Sequence, residues 1–235
     1  MNNVRTVSDT KKTFYSIHTR PINTIYRRVV EELMVEMHLL SVNTDFTYNP
    51  IYALGVATAF ERFMQGYDPE KDKEQLFHAL CQSVEIDTQK IKQEAHSLKD
   101  VAASMSVGDL ISCLSRAKRF DNAGELQNQL DAIASNPKFK YSRLFAIGLF
   151  SLLEAASPET VKDEKQRNDA LVSIAKGLNI SEDKLSKDLD LYRSNLDKMA
   201  QAMVVMADML AADRKKREQR AQQKSSVAAT PSSEQ

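Results

Sequence analysis

The sequence has few of the residues that build catalytic, cofactor and metal sites. Its two cysteines, Cys81 and Cys113, lack a Cys-x-x-Cys spacing, so we expect both thiols to be buried in a reducing compartment. Its four histidines never form a His-x-x-x-His or Glu-x-x-His pattern, which leaves no local metal site. Its six glycines do not cluster, which excludes a P-loop and a dinucleotide fingerprint. We therefore predict no catalytic, cofactor-binding or metal-ligating residues, and a protein that is not an enzyme.

The sequence also lacks an excess of charge and a long apolar run. Lys and Arg together number 32, as do Asp and Glu, so the formal net charge is zero. That balance argues against the basic field of a general nucleic-acid binder, and an electrostatic partner must recognise a local patch. The best apolar candidate, 144–153, is shorter than the ~18 residues that cross a bilayer. The N-terminus has no signal-peptide or transit-peptide pattern, so we expect neither a transmembrane helix nor an import sequence.

No run of alternating β-branched residues indicates a strand, and the apolar spacing is helical, which predicts an all-α fold. Five prolines closely follow a residue type that caps helices, so each is predicted to mark a helix start. These are Pro21, Pro50, Pro69, Pro137 and Pro158. Gly66 and Gly177 follow apolar-periodic segments, where a left-handed C-terminal cap is expected. We group the predicted helices in one multi-helix bundle domain, residues 1–178. They span about 7–18, 22–40, 50–65, 70–84, 87–104, 107–117, 119–133, 140–156 and 160–176.

The segment that follows differs in kind. It has no Pro or Gly before residue 225, so one continuous helix over 179–224 is predicted, roughly 60 Å long at ~1.5 Å per residue. Its apolar positions alternate steps of four and three residues, a heptad seam typical of a coiled coil. The seam consists of Leu185, Leu189, Tyr192, Leu196, Met199, Met203, Met206 and Leu210. Packing of the seam on the protein's own bundle is the alternative. Residues 225–235 have too little apolar surface to fold and are predicted to be disordered.

Basic residues crowd the end of this predicted helix. Residues 214–224 carry six cations against the single acid Glu218. Such a cluster binds anionic lipid headgroups with ~1 kcal/mol for each cation near the surface. A solvated helix end, where cations are favoured by the helix dipole, is the commoner explanation of such a run.

Nine residues are candidates for contact with a partner protein. Tyr and Arg often anchor interfaces, and methionines give the late part of the seam an adaptable surface. The candidates are Arg20, Tyr26, Arg27, Arg28, Glu31, Glu32, Met199, Met203 and Met206. The alternative is that the aromatic residues fill the core, while the arginines of the first predicted long helix pair with its glutamates at helical spacing.

Three long stretches are specific enough to indicate a family. They are TVSDTKKTFYSIHTRPINTIYRRVVEELMVEMHLLSV (6–42), NPIYALGVATAFERFMQGYDPE (49–70) and KYSRLFAIGLFSLLE (140–154). They resemble the thylakoid formation family, also described as photosystem II biogenesis factors. The resemblance implies a helical protein, peripheral to the thylakoid membrane, that supports photosystem II assembly and repair and sustains membrane-anchored FtsH-type proteases. The shared pattern starts at Thr6, which resembles a cyanobacterial member, and the family offers no catalytic residues to transfer.

Resemblance and composition together lead to one functional expectation. We expect a non-catalytic accessory factor for photosystem II biogenesis and repair and for thylakoid membrane formation. Its expected partner is an FtsH-type membrane protease complex, which it would stabilise, with photosystem II assembly intermediates as further partners and no nucleic acid or cofactor. Its expected place is peripheral, on the cytoplasmic side of the thylakoid membrane. Two alternatives stay open: a peripheral lipid-binding protein that organises the thylakoid membrane surface, and an enzyme whose site is assembled between helices from distant residues.

Overall fold

The structure, a computed structural model, describes residues 5–228. The regular elements in this range are eleven α-helices and one 3-10 turn, so the predicted all-α fold is confirmed. The helices are α1 (Val7–Ile17), α2 (Thr24–Ser41), α3 (Pro50–Phe63), α4 (Asp72–Ser83), α5 (Thr88–Ala103), α6 (Val107–Leu114), α7 (Gly124–Ser135), α8 (Arg143–Ala156), α9 (Pro158–Lys162), α10 (Glu164–Gly177) and α11 (Glu182–Ala228). The 3-10 turn, Asp121–Ala123, directly precedes α7.

Side-chain caps fix the starts of several helices. Thr6 and Asp9 form a reciprocal capping box at α1, in which the Thr6 N–H donates to the Asp9 carboxylate at 3.0 Å. The Asp9 N–H donates in return to the Thr6 hydroxyl at 3.2 Å. Asn49 and Ser157 cap α3 and α9, each directly before a proline at the first helical position, as their spacing predicts.

The proline-based prediction is wrong at Asn136-Pro137. Helix α7 ends at Ser135, and no helix begins at this proline, because the chain there turns into the extended segment before α8. Pro21 and Pro69 lie three residues before the starts of α2 and α4 rather than at the first helical position. A proline therefore marks the neighbourhood of a helix start at four of the five sites.

Two predicted helices differ most from the structure, while the others of the predicted bundle agree with it to within three residues at each end. The start of the predicted helix 119–133 is extended, since the Gln127 side chain accepts from the Phe120 N–H at 3.0 Å and holds the segment away from helical geometry. The predicted helix 160–176 is divided into α9 and α10. Asp163 separates them, and its carboxylate caps α10 by accepting from the backbone N–H of Gln166.

Helices α3 and α8 meet at the centre of the core. All residues of α8 from 144 to 153, the best apolar run of the sequence, are buried. A Cβ atom added at Gly55 would overlap the carbonyl oxygen of Leu144, and one added at Gly148 would overlap the carbonyl oxygen of Ile51. The two backbones are therefore in direct contact, and glycine is required on both sides of the crossing.

Of the two predicted glycine caps, one is confirmed. Gly66 adopts the left-handed conformation, with φ of 75°. Gly177 does not: it is the last residue of α10, and the left-handed residue is Asn179, with φ of 56°. Gly177 is needed for space instead, because a Cβ atom there would overlap the carbonyl group of Ser115 at the end of α6.

The chain divides into two compact units, Met1–Arg193 and Ser194–Gln235. The division lies inside α11 and later than the boundary at 178/179 expected from the sequence. The reason is that the first three seam residues belong to the core of the first unit. Leu185, Leu189 and Tyr192 are each at most 2% exposed, and the Tyr192 ring packs edge-on against Phe63 with 5.7 Å between centroids.

Beyond Arg193 the seam is more accessible. Leu196, Met199, Met203 and Met206 are half-buried, and Leu210 is 66% exposed. Helix α11 continues to Ala228, so residues 225–228 of the predicted disordered tail are helical. The rest of that predicted tail, 229–235, lies outside the described residues, and pairing of the seam with a partner helix stays a prediction.

Candidate protein-interaction groove

A groove runs along the polar face of α2 in the first unit. Its volume is about 1160 Å³, and its other walls come from α1, the segment before α8 and the first turns of α11. The charged and apolar side chains that line it are Lys11, Arg27, Arg28, Glu31, Glu32, Val35, Glu36, Leu39, Leu40, Lys140, Tyr141, Arg143, Lys184 and Asp188. The groove thus collects six cations and four acids around a partly apolar floor.

Helical spacing gives α2 its two faces. The buried face consists of Tyr26, Val30, Leu33, Met34, Met37, His38 and Leu40. Arg27, Arg28, Glu31 and Glu32 lie one turn apart on the other side, where they face the groove. Four of the nine predicted contact residues therefore share one surface, and whether a partner binds there stays a prediction.

Glu31 is the best-anchored acid of the groove. Its carboxylate accepts from the Lys11 ammonium and from the Tyr15 hydroxyl, each at 2.8 Å. The hydrogen bond from Lys11, followed by that from Tyr15, lowers the pKa of Glu31. Burial, followed by the same contact with Glu31, raises the pKa of Tyr15 to about 12. Glu31 is consequently ionised and occupied by its neighbours.

Two other acids of the groove, Glu32 and Glu36, also have partners. Arg28 pairs with Glu32 one turn along α2 at 2.9 Å, and Arg143 from the start of α8 pairs with Glu36. Lys184 of α11 lies over the ring of Tyr141, with its ammonium 4.9 Å from the centroid. These contacts tie α2, α8 and the first turns of α11 together around the groove.

Two cations of the groove stand apart from this network. Arg27 and Lys140 are exposed, and neither forms an ion pair within the part of the chain that the structure describes. Leu39, also on the groove, is 57% exposed, and Val35 beside it is half-buried. The groove therefore offers cations without a direct ion pair next to apolar surface, which suits an acidic partner segment with an apolar side chain.

Two other predicted contact residues have structural roles outside the groove. Arg20 pairs with Asp72 at 2.5 Å, and the side chain of Asp72 is only 4% exposed. Tyr26 is 2% exposed, and its hydroxyl donates to the carbonyl oxygen of Gln65 at 3.1 Å. For Tyr26 the alternative that aromatic residues fill the core is therefore the correct one.

The sequence offered no sign of the groove's far wall. The far wall comes from segments about a hundred residues or more beyond α2 along the chain. Its charged residues are Lys140, Arg143, Lys184 and Asp188. Arg143 follows Ser142, whose cap of α8 fixes the direction in which the helix starts. No local pattern indicates that these side chains meet α2, because the meeting depends on how α2, α8 and α11 pack.

The described residues contain neither a metal-binding cluster nor a helix suited to span a membrane. Within 5–228 no cluster of three or more His, Cys, Asp or Glu side chains is arranged to hold a metal ion. Over the same range, no helix has the length and apolar character needed to span a membrane. Cys81 and Cys113 are both buried and neither forms a disulfide within the described residues, and burial raises the pKa of each thiol.

Comparison with known proteins identifies the family. The family model described as thylakoid formation protein matches residues 6–221. The chain belongs to the thylakoid formation protein family. Protein Thf1 of Trichormus variabilis is 69% identical over 98% of this chain and 99% of its own length. Protein Thf1 of Nostoc punctiforme is 68% identical over 99% of each chain.

A solved structure also resembles this thylakoid formation protein. The structure of Psb29 at 1.55 Å superposes with a TM-score of 0.79 and is 42% identical in sequence. The match covers 91% of this chain and 99% of that one. The fold and the family resemblance expected from the sequence are therefore both confirmed.

Proposed function

We propose that this thylakoid formation protein is a non-catalytic accessory factor for photosystem II biogenesis and repair. In this proposal it associates with a membrane-anchored FtsH-type protease complex and stabilises it. Family membership supports a role at the thylakoid. The observation that carries association with a protein is the groove along α2, where Arg27 and Lys140 lack ion pairs beside the exposed side chain of Leu39.

The groove supplies two kinds of binding energy. Burial of the exposed part of Leu39 contributes roughly 1–2 kcal/mol, since 57% of the residue is exposed and full burial of a leucine side chain contributes ~1.5–3 kcal/mol. Arg27 and Lys140 favour an acidic segment and raise its rate of association, because opposite charges steer the encounter. The paired residues around them keep the groove in shape, so little ordering is required on binding.

Stabilisation of a protease complex requires no chemical step. A factor that binds only the assembled complex shifts the equilibrium toward assembly by mass action. At a free concentration of about 100 times the Kd, the shift is ~2.7 kcal/mol. A modest groove contact repeated on each subunit of an oligomeric protease would be sufficient for this effect.

The test is affinity purification of the tagged full-length protein from detergent-solubilised cyanobacterial thylakoids. Arg27→Glu combined with Lys140→Glu reverses the two cations of the groove that have neither an ion pair nor a ring contact in the described range. The matched control, Lys12→Glu with Lys165→Glu, makes the same change in net charge at two exposed lysines outside the groove. We expect the wild type and the control to recover an FtsH-type protease, and the groove variant to recover at least tenfold less.

Each other result has a definite meaning. Equal recovery with the groove variant, but loss with Met203→Asp, would move the contact to the seam of α11. Recovery of photosystem II assembly intermediates without any protease would make those intermediates the direct partner. Failure of the wild type to recover either one in mild detergent would contradict the proposal.

The proposal places the protein peripherally on the cytoplasmic side of the thylakoid membrane. The finding that no helix in residues 5–228 is suited to span a bilayer agrees with peripheral attachment. Isolated thylakoids with the cytoplasmic side outward can be treated with an added protease. We expect the protein to be degraded while a lumenal marker survives, and protection of the protein would contradict this location.

A further inference from the structure

The second unit carries an apolar stretch of α11 that is largely accessible. Residues 199–212 contain only two polar side chains, Gln201 and Asp208. The most exposed apolar side chains of the stretch are Val204, Val205, Met209 and Leu210, at 57–68%. A helix that is apolar on nearly all sides is normally buried, so this stretch indicates a surface that binds something.

Basic residues follow this apolar stretch within one turn. Residues 213–220 contain five cations and two acids, and all eight residues are exposed. Arg214 pairs with Glu218 at 3.2 Å, and Arg217 with Asp213 at 3.9 Å. The remaining cations, Lys215, Lys216 and Arg220, form no ion pair with any side chain in the described range. The end of the helix therefore carries positive charge that its own acids do not neutralise, on a protein whose formal net charge is zero.

The apolar stretch and the basic residues follow one another along one helix, and this order limits the kinds of partner that can contact both. The apolar stretch is about 21 Å long at ~1.5 Å per residue, shorter than the ~30 Å hydrocarbon core of a bilayer. Gln201 and Asp208 are seven residues apart and share one face, so the opposite face presents apolar side chains alone. The partner must provide an apolar layer and, directly beside it, an anionic layer. A bilayer surface with anionic headgroups has both.

We propose that residues 199–220 of α11 bind an anionic lipid surface. The apolar stretch lies at the boundary between headgroups and acyl chains, with Gln201 and Asp208 turned toward water. Lys215, Lys216 and Arg220 contact the anionic headgroups. This site is separate from the groove along α2 and does not depend on association with a protease.

The test is flotation of the purified full-length protein with lipid vesicles. One set consists of phosphatidylcholine alone, and the other of an equimolar mixture of phosphatidylglycerol and phosphatidylcholine. The cation variant is Lys215→Gln with Lys216→Gln and Arg220→Gln. The apolar variant is Val205→Gln with Met209→Gln. Each variant is first checked for wild-type helicity and melting temperature, which the exposure of these side chains predicts.

We expect binding to the anionic vesicles only, and a large effect of the cation variant. Three cations near an anionic surface together account for roughly 100-fold in affinity, so their removal should weaken binding by about that factor. Raising the salt concentration should reproduce most of this loss in the wild type. The apolar variant should weaken binding at low and at high salt alike, because its contribution is not electrostatic.

A control with the same change in charge separates a local site from net charge. Lys12→Gln with Lys165→Gln and Lys176→Gln removes three exposed cations from the first unit. We expect this control to bind like the wild type. An equal loss in the control, equal binding of the wild type to neutral vesicles, or no binding to either set would overturn the proposal. A combination of two results would also overturn it in favour of an acidic protein partner. In that case the apolar variant would bind vesicles like the wild type, and the wild type would bind soluble polyglutamate as tightly as it binds the anionic vesicles.

Discussion

Gly148→Ala tests the direct backbone contact between α3 and α8. The added methyl group would overlap the carbonyl oxygen of Ile51 and lie 3.0 Å from the γ2 carbon of the same residue. Overpacking in a core typically costs roughly 1–3 kcal/mol. Because the obstacle here is the backbone of a buried helix, the two helices must move apart, and we place the cost at the upper end of that range. Alanine returns about 1 kcal/mol of helix propensity, so the expected net loss is about 2 kcal/mol.

Urea unfolding followed by circular dichroism measures this loss. Gly108→Ala in α6 is the matched control, because a Cβ atom there meets nothing within 4 Å. We expect the control to leave the free energy of unfolding unchanged or to raise it by up to about 1 kcal/mol. A Gly148→Ala protein as stable as the wild type would refute the close crossing of α3 and α8.

Three further predictions concern stability. His18 is fully buried, its ring nitrogens have no hydrogen-bond partner among the described residues, and burial lowers its pKa from 6.5. When the pH is lowered below 6.5, only the unfolded state takes up the proton. The free energy of unfolding should therefore decrease as the pH is lowered, by up to ~1.4 kcal/mol per pH unit. His18→Phe should reduce this slope. Arg20→Gln leaves a buried carboxylate unpaired and should cost about 2–3 kcal/mol, whereas Arg28→Gln breaks an exposed pair and should cost less than about 0.5 kcal/mol. Leu189→Ala should cost about 3 kcal/mol, since Leu189 is 2% exposed, and Leu210→Ala less than about 0.5 kcal/mol.

Denaturant unfolding at several pH values checks all three. We expect a shallower slope below pH 6.5 for His18→Phe than for the wild type, and an unchanged slope would contradict the role of burial. Equal costs for the two arginine variants would mean that burial of the acid does not matter. Equal losses in the free energy of unfolding for Leu189→Ala and Leu210→Ala would contradict the difference in burial between the two ends of the seam.

Much of the fold follows from local chemistry that the sequence displays. Helix α2 carries its apolar residues at helical spacing, and Asn49 with Pro50 starts α3 where the rules of capping require. The failures are tertiary. Gly177 resembles a C-terminal cap, but it is a glycine because α10 passes close to Ser115, and Asn179 takes the left-handed conformation instead. Such close approaches depend on residues that are distant along the chain, so local patterns do not reveal them.

The candidate site shows the same division. Arg27 and Glu31 are grouped correctly from the sequence, because one helix holds them on one face. Lys140 is missed, because only the packing of the segment before α8 brings it to the groove. Tyr26 belongs to the apolar stripe of α2 as well as to its arginine-rich start. Because its side chain is buried, it is a core residue and not a contact residue of the groove. Met203 is half-buried, and a role of the seam in binding a partner stays a prediction.

The most direct test of the central claim is a binding measurement with purified components. The full-length protein is immobilised, and a detergent-solubilised FtsH-type complex is passed over it beside the variant that carries Arg27→Glu and Lys140→Glu. We expect saturable binding by the wild type that weakens with salt, and at least tenfold weaker binding by the variant. No binding by the wild type, or equal binding by both proteins, would contradict the claim that the groove along α2 docks the protease.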